Sequence, residues 1–113
     1  MVKFYRKRYV LFKLISEESN IEEDAVKRAI LNSFQTLFGL AGVGEAGLVF
    51  LGYDNQTSTG IIRCNHKFVN NLRASLTFIR EINGKKTSIY TLRVSGTLKT
   101  LKEFKEKVFR KDI

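Results

Sequence analysis

Apolar and polar positions alternate in patterns that predict secondary structure along the whole chain. Residues 8–15 contain a continuous apolar run, which is typical of a strand in the centre of a sheet. The segment that follows has apolar residues at steps of three and four, which predict one amphipathic helix through Phe38. Ser19 and Glu22 have the spacing of a capping box that would begin this helix, and Gly39 would end it as the C-terminal cap.

The middle of the chain predicts a pair of strands. A glycine-rich segment at 42–47 predicts a flexible lead into an apolar strand at 46–53, and the polar cluster at 54–56 predicts a turn. Residues 59–64 would form the antiparallel partner of that strand. A second helix is predicted at 66–80, with Asn65 as its cap and with these residues on its buried face: Phe68, Leu72, Leu76 and Ile79.

The segment 77–94 has two interpretations. Asn83-Gly84 could end the second helix, or it could form the turn of a β-hairpin between two strands. In both cases, the Thr, Ile and Tyr content of residues 86–94 predicts a strand. Apolar residues at steps of three and four then predict a third helix after Ser95-Gly96-Thr97.

This order of elements, βαββαβ with an additional C-terminal helix, predicts an α+β fold: a ferredoxin-like, RRM-like α/β sandwich. We expect the first and third strands to be central, helices to cover one sheet face, and the other face to be free for a partner. A length of 113 residues predicts one domain over 1–113, with a basic N-terminal arm at 1–7 and a basic C-terminal helix at 97–113. This fold occurs in RNA binders, regulatory domains and enzymes, so it does not define the function.

The charge indicates the kind of partner. Twenty Lys and Arg against eleven Asp and Glu give a net charge of +9, which favours polyanions. Five of the acids fall within residues 17–24, so the rest of the chain is more basic still. No apolar run approaches the length of about 18 residues that a membrane span needs, and the N-terminus does not resemble a signal peptide. We therefore expect a cytoplasmic protein without a membrane partner.

Catalytic and metal-binding chemistry has little support in the sequence. The chain has one cysteine, Cys64, and one histidine, His66, so these two residues cannot complete a zinc site. Cys64 is interpreted as a buried small apolar residue in a reducing compartment. Gly84-Lys85-Lys86-Thr87 lacks the earlier glycine of a phosphate-binding loop. We therefore predict no catalytic residue, no metal site and no cofactor bound by the protein.

Basic residues on ordered elements are the main functional signal. Cations beside Phe4 and Tyr5 could neutralise phosphates while a ring stacks on a base, and the helix start after Ser95 could offer amides to a phosphate or be capped. We expect Arg63 and Arg73 to lie near each other if strand and helix pack as predicted. The candidate RNA-binding residues are Lys3, Arg6, Lys7, Arg8, Arg63, Arg73, Arg80, Lys85, Lys86, Arg93, Ser95, Lys99 and Lys102.

The strand at 59–64 does not have the aromatic residues of a conventional RNA recognition motif. Its sequence, Thr-Gly-Ile-Ile-Arg-Cys, is aliphatic. Such a sheet face suits a protein partner, which leaves loops, the arm and helix ends to contact structured RNA.

Several short stretches together resemble one protein family. They are Arg8-Tyr9-Val10, Thr59-Gly60-Ile61-Ile62-Arg63-Cys64, Leu72-Arg73-Ala74-Ser75-Leu76, Ile82-Asn83-Gly84-Lys85 and Thr91-Leu92-Arg93-Val94-Ser95-Gly96-Thr97-Leu98-Lys99. In this order, over about residues 8–102, they resemble the archaeal ribonuclease P protein component 2 family, which has eukaryotic relatives in ribonucleases P and MRP. The resemblance implies the same ferredoxin-like sandwich.

The resemblance also implies a function. A subunit of this family binds and stabilises the catalytic RNA of ribonuclease P, which removes 5′ leaders from tRNA precursors. The RNA performs the hydrolysis with bound Mg²⁺, so the chain would be a non-catalytic part of the enzyme. The implied partners are the ribonuclease P RNA, a TIM-barrel-like protein subunit and a second copy of the chain within a heterotetramer. The precursor tRNA is a further candidate.

Two other functions stay open on the sequence alone. One is a general module for structured RNA that needs no partner protein. The other is a ligand-sensing regulatory domain of the ferredoxin-like kind, against which the charge of +9 argues. A nuclease in its own right is disfavoured because no two acids outside residues 17–24 are placed to hold a pair of metal ions.

Overall fold

The computed structural model describes residues 6–17 and 21–109. In this part of the chain, strands and helices follow the predicted order, with one short strand added. The elements are β1 (Lys7–Ser16), α1 (Glu23–Ala46), β2 (Val49–Asp54), β3 (Thr59–Asn65), α2 (Val69–Phe78), β4 (Glu81–Ile82), β5 (Lys85–Ser95) and α3 (Leu98–Phe109). Residues 1–5 of the predicted arm and 110–113 of the predicted C-terminal helix lie outside the described ranges, and Lys7 already belongs to β1.

The strands form an antiparallel sheet in the order β2-β3-β1-β5-β4. Val10 of β1 faces Ile62 of β3 on one side and Val94 of β5 on the other. β1 and β3 therefore have neighbours on both edges, which confirms their predicted central positions. The topology and the helix layer confirm the ferredoxin-like α+β class.

The main core lies between the sheet and the helices α1 and α2. Val10, Phe12 and Leu14 alternate along β1 on the side of these helices, and all three are buried. Their partners in the same cluster include Val26, Ile30, Phe34, Leu72 and Leu76. The apolar stripes predicted from helical spacing thus face the sheet.

Helix α3 covers part of the opposite sheet face. Leu11 points to that face, and both Leu11 and Leu101 of α3 are completely buried. Lys105 of α3 also pairs with Asp54 at the end of β2, with 3.1 Å between Nζ and Oδ2. The prediction that this face is free is therefore wrong beneath α3, because the amphipathic helix buries its own apolar side there.

Helix α1 is longer than predicted. Gly39 has φ 76° and ψ 176°, which lie outside the helical range, so the first helical segment of α1 ends there as predicted. A second helical segment then follows the kink and continues to Ala46. Gly47 adopts the left-handed conformation and is the actual C-cap. The predicted flexible segment at 42–47 and the strand start at 46 are wrong because Ala46 is completely buried in the core as part of the helix.

The start of α1 also differs from the prediction. The helix begins at Glu23, and its N-cap is Glu22, whose side chain makes no capping hydrogen bond. The predicted capping box is therefore wrong as the helix start, and Ser19 lies outside the described residues. Glu23 and Asp24 in the first turn still favour the helix dipole.

Helix α2 is shorter than the predicted span 66–80. A short 3-10 turn, His66–Phe68, precedes it, and the Asn65 side chain makes no capping hydrogen bond. The prediction that Asn65 caps the helix is wrong because its side chain bonds to Lys7 and Glu45 instead. Leu72 and Leu76 are buried in α2 as predicted, whereas Ile79 is buried just after the helix ends.

The structure selects the hairpin interpretation of Asn83-Gly84. Asn83 has φ 53° and Gly84 has φ 77°, and Ile82 pairs with Lys85 across the turn. Two consecutive positive φ values are those of a type I′ turn, which matches the twist of the flanking strands. The predicted fourth strand is confirmed as β5, with β4 as its short hairpin partner.

Candidate nucleic-acid interface

Basic side chains collect where β1 begins and where β3 and β5 end. The sheet register joins these termini, since Tyr9 faces Arg63 on one side and Ser95 on the other. Helix α3 also begins there, directly after β5. We call this region the basic end; its cations are Arg6, Lys7, Arg8, Arg63, Lys67, Arg93 and Lys99.

Hydrogen bonds hold the basic end together. The Lys7 ammonium donates to Asn65 Oδ1 at 2.6 Å, and Asn65 Nδ2 donates to the Glu45 carbonyl at 2.6 Å. The His66 amide donates to the Arg6 carbonyl at 2.7 Å. These contacts join β1, β3 and the last turn of α1, so the backbone that carries the cations is fixed.

The start of α3 is capped by its own side chains. Ser95 Oγ accepts a hydrogen bond from the Thr97 amide at 3.2 Å, and Thr97 Oγ1 accepts one from the Thr100 amide at 3.3 Å. These two amides are therefore engaged within the chain, as the capping interpretation predicted. The Arg8 guanidinium lies beside this turn, where Nη1 would be 3.7 Å from a β-carbon placed on Gly96.

Two arginines of the basic end lie on the α3 side of the sheet. The exposed Arg93 has its guanidinium carbon 4.9 Å from the centre of the Phe104 ring, a cation–π contact with α3. Arg63 follows Ile62 in β3 and therefore points away from the main core. Its buried Nε has no hydrogen-bond partner among the described residues.

Other candidate residues lie elsewhere. Arg73 is exposed on α2, in the helix layer, whereas Arg63 points to the opposite sheet face. The expectation that these two arginines lie near each other is therefore wrong, because strand alternation sends Arg63 away from α2. Lys102 lies along α3 in a groove with Leu51 and Ile61. Lys3 lies outside the described residues.

Arg80, Lys85 and Lys86 lie at the other end of the sheet, where β1 ends and α1 begins. We call this region the mixed end, because acids accompany its cations. The Lys86 backbone amide donates to Glu17 Oε1 at 3.0 Å. Glu81 of β4 lies opposite Lys86 in the strand register of the β4–β5 hairpin. The first turns of α1 add Glu22, Glu23, Asp24, Lys27 and Arg28. The excess of positive charge is therefore largest at the basic end, where Glu45 is the acid that accompanies the seven cations.

Lys67 is the basic-end residue that the candidate list missed. It is exposed in the 3-10 turn that directly follows β3. Its signal in the sequence was its position just after a strand whose end carries Arg63. A helix predicted from residue 66 placed it on the helix surface and hid this relationship.

Three ionisable groups have shifted pKa values, among them Tyr53, whose pKa is raised by burial. Burial raises the pKa of the Cys64 thiol to about 11, which agrees with its interpretation as a buried apolar residue and makes it a poor nucleophile. The hydrogen bond from Lys105 lowers the pKa of the Asp54 carboxyl. Within the described ranges, no three His, Cys, Asp or Glu side chains are grouped so that they could hold a metal ion.

The described ranges contain no helix that is long and apolar enough to cross a bilayer.

The molecule is a ferredoxin-like α+β domain that concentrates positive charge at one end of its sheet. The chain belongs to the Rpp14/Pop5 family, whose model matches residues 8–105. This confirms the resemblance found in the sequence.

Named relatives agree with the family match. The chain is 42% identical over 97 residues to ribonuclease P protein component 2 of Pyrococcus furiosus, which covers 86% of this chain and 80% of the relative. It is 40% identical over 98 residues to the protein of the same name from Methanosarcina mazei, with 87% and 82% covered. A chain in the cryo-EM structure of yeast ribonuclease MRP has the same fold, with a TM-score of 0.68, 18% identity and coverage of 96% and 97%.

Proposed function

We infer that this chain is a protein subunit of ribonuclease P and that it binds the RNA of this enzyme through the basic end. Family membership and relatives named ribonuclease P protein component 2 support the first part. The single observation that supports the second is the convergence of seven cations from β1, β3, β5 and the flanking turns on one end of the sheet.

The chemistry of RNA binding follows from this arrangement. Arginine and lysine neutralise phosphates and release condensed counterions, which provides affinity without base readout. The rigid backbone around Asn65 keeps the cations at fixed separations, so they select a folded RNA surface whose phosphates match them. A subunit of this kind lowers the Mg²⁺ concentration at which the RNA adopts its active fold.

The catalytic step belongs to the RNA in this proposal. The RNA, with its bound Mg²⁺, hydrolyses the phosphodiester between the 5′ leader and the mature tRNA, and the protein takes no part in bond breaking. Apart from Glu45, the charged side chains that the basic end offers are cations, which bind phosphate, and this supports the division of labour. The precursor tRNA is a further candidate ligand for the same surface.

We also propose that the chain works in the cytoplasm with a TIM-barrel-like protein subunit, and that two such pairs associate through contacts between copies of this chain. The apolar side chains exposed on the α3 side of the sheet support a protein partner, since such groups are otherwise costly in water. They include Ile15 and Tyr90.

Reconstituted cleavage tests the function. A ribonuclease P RNA is given a tRNA precursor at limiting Mg²⁺, with and without this chain and the TIM-barrel-like subunit. We expect cleavage at the mature 5′ end to require both proteins. Tight RNA binding without any effect on cleavage would instead identify a general RNA-binding module.

A matched pair of triple variants tests the role of the basic end. The variant Arg8→Ala, Arg93→Ala, Lys99→Ala removes three charges from the basic end, and Lys27→Ala, Arg28→Ala, Arg73→Ala removes three from the helix layer. Only the first is expected to raise the Mg²⁺ requirement, because only it loses phosphate contacts. Equal effects of both variants would show that net charge, and not this surface, determines the activity.

A further inference from the structure

The outer edge of β5 is open over most of its length. β4 covers only the first residues of this edge, where Ile82 pairs with Lys85 and the Thr87 amide donates to the Arg80 carbonyl at 2.8 Å. From Ser88 onward, β5 has β1 on one side and, within residues 6–17 and 21–109, no strand on the other.

The direction of the backbone groups on this edge follows from the pairing. Amides along a strand point alternately to its two sides, and the Thr87 amide points outward to β4. The register with β1 is regular through Thr91, so the amides of Ile89 and Thr91 also point outward. Neither amide donates a hydrogen bond to another described residue. The amides of Ser88 and Tyr90 face β1.

The sequence of this edge lacks the usual protection against strand pairing. Residues 87–92 read Thr-Ser-Ile-Tyr-Thr-Leu, with no charge, no proline and no glycine, and the register irregularity comes only after Thr91. Native proteins normally protect such an edge with charges, bulges or a covering segment. The other edge strand, β2, is interrupted in its middle by a register shift at Gly52. The β5 edge is therefore the better template for an added strand.

Side chains beside the edge indicate what would bind there. Tyr90 is 42% exposed. Ile15, which pairs with Ser88 on the same face of the sheet, is 53% exposed. The two side chains together offer an apolar contact. Arg80 and Arg93 lie near the two ends of the open edge, and neither forms an ion pair with a described carboxylate. The complementary ligand is an extended polypeptide segment with an apolar residue in its middle and acidic residues at its ends.

We propose that an extended segment of a partner protein adds to the sheet at Ser88–Arg93 and pairs with β5 by β-augmentation. This rests on the proposed function only in that the chain works beside another protein subunit. RNA cannot form the backbone ladder. A second copy is disfavoured because its own edge at 87–92 carries no acidic residue to complement Arg80 and Arg93.

Amide hydrogen exchange, followed by NMR, tests the pairing directly. The probe is the TIM-barrel-like subunit added to the isotopically labelled chain. We expect the amides of Ile89 and Thr91 to exchange at least tenfold more slowly in the complex, because they gain hydrogen-bond partners. The amides of Ser88 and Tyr90 are internal controls, since β1 already protects them.

Substitutions at Thr91 give a matched comparison. Thr91→Pro removes the outward amide without removing a bond to β1, and Thr91→Val keeps the amide and the branched shape. We expect the first to weaken binding to the subunit at least tenfold and the second to change it less than twofold. Unchanged RNA binding by both variants shows that they are folded.

A second pair of substitutions is matched in exposure. Tyr90 in β5 and Leu51 in β2 are 42% and 40% exposed, on strands that β1 and β3 separate. Tyr90→Asp is expected to weaken binding to the subunit, because it places a charge against the apolar residue in the middle of the segment, whereas Leu51→Asp is not. The reverse pattern would move the interface to the β2 side and overturn the proposal.

The outcomes separate this proposal from the proposed function. Binding of the subunit without slower exchange of Ile89 and Thr91 overturns the edge pairing alone. Slower exchange in the isolated chain that depends on its own concentration identifies a second copy as the occupant and overturns the heterologous segment. Failure of the unmodified chain to bind the subunit overturns the partnership itself.

Discussion

Lys7 and Asn65 face each other across β1 and β3, and the Lys7 ammonium donates a 2.6 Å hydrogen bond to the Asn65 side-chain oxygen. The Asn65 side-chain amide in turn donates to the carbonyl of Glu45, in the last turn of α1. Asn65 is only 5% exposed. A single buried side chain therefore joins the sheet to the helix layer at the end where the basic residues collect.

Replacement of this side chain should destabilise the fold. Asn65→Ala leaves the Glu45 carbonyl and the Lys7 ammonium without their partners, and we expect the free energy of unfolding to fall by about 1–3 kcal/mol. Urea denaturation measures the change. Asn55→Ala, in the exposed turn after β2, is the control and should alter the free energy of unfolding by less than about 0.5 kcal/mol. Equal losses in the two variants would argue against the linking role.

Two glycines should respond to alanine in opposite directions. A β-carbon at Gly60 would overlap the Phe12 ring and lie 3.0 Å from the Gly52 carbonyl oxygen, so Gly60→Ala should lower the free energy of unfolding by about 1–3 kcal/mol. Gly44, in α1, has open space around it, and Gly44→Ala should raise that free energy by about 0.5–1 kcal/mol through helix propensity. Thermal denaturation distinguishes the two signs.

The salt dependence of RNA affinity should map the basic end. Each phosphate contact contributes about 0.7–0.9 to the slope of log affinity against log salt concentration. We therefore expect Arg93→Ala and Lys99→Ala each to reduce the slope by about that amount. Arg73→Ala, which removes the same charge from α2, should leave it nearly unchanged.

A flattened slope in Arg73→Ala would extend the RNA site to the helix layer. The other candidates away from the basic end, Arg80, Lys85, Lys86 and Lys102, stay predictions that the same measurement tests one by one. An unchanged slope for both Arg93→Ala and Lys99→Ala would remove the basic end from the RNA site.

The contact between Asp54 and Lys105 should make α3 sensitive to acid. The hydrogen bond from Lys105 lowers the pKa of Asp54 below its ordinary value of 3.8, so the folded state binds this proton less readily than the unfolded state. The contact therefore stabilises the fold above about pH 4 and is lost as the pH falls through the lower, folded-state pKa. Because Asp54 is partly exposed, we expect less than about 1 kcal/mol.

Melting temperatures between pH 2 and pH 7 test this expectation. Asp54→Asn should reduce the melting temperature at neutral pH and remove part of the decrease seen on acidification. Glu103→Gln, on the exposed side of α3, is the control and should leave the acid part of the profile as it is. Identical profiles for the unmodified chain and Asp54→Asn would show that the ion pair adds no stability.

The sequence was sufficient for the class of fold and for the family. Period-two and period-3.6 patterns depend on neighbours within a few residues, so β1, β3, β5 and the apolar faces of α1 and α2 could be predicted locally. The order of short stretches such as 59–64 carried the resemblance. Gly60 gives the physical reason for one of these stretches, since only glycine leaves room for the Phe12 ring.

Element boundaries were less predictable, because glycine and asparagine have more than one local role. Gly39 ends the first helical segment of α1 as its residue type predicts, but a second helical segment follows it and places the buried Ala46 in the core. Asn65 is a residue type that often caps helices, yet its side chain bonds to Lys7 and Glu45, which lie 58 and 20 positions earlier in the chain. Tertiary contacts outweighed local preference at Asn65.

Composition, local pattern and motifs thus determined that the protein is a basic, ferredoxin-like member of its family. The division of its cations into a basic end and a mixed end was decided only by the tertiary structure. Tyr9 meets Arg63 and Ser95 because strand register joins segments 54 and 86 residues apart, and α3 covers Leu11 because an amphipathic helix must bury its apolar side. Such contacts depend on the packing of the whole chain, which no local pattern in the sequence specifies.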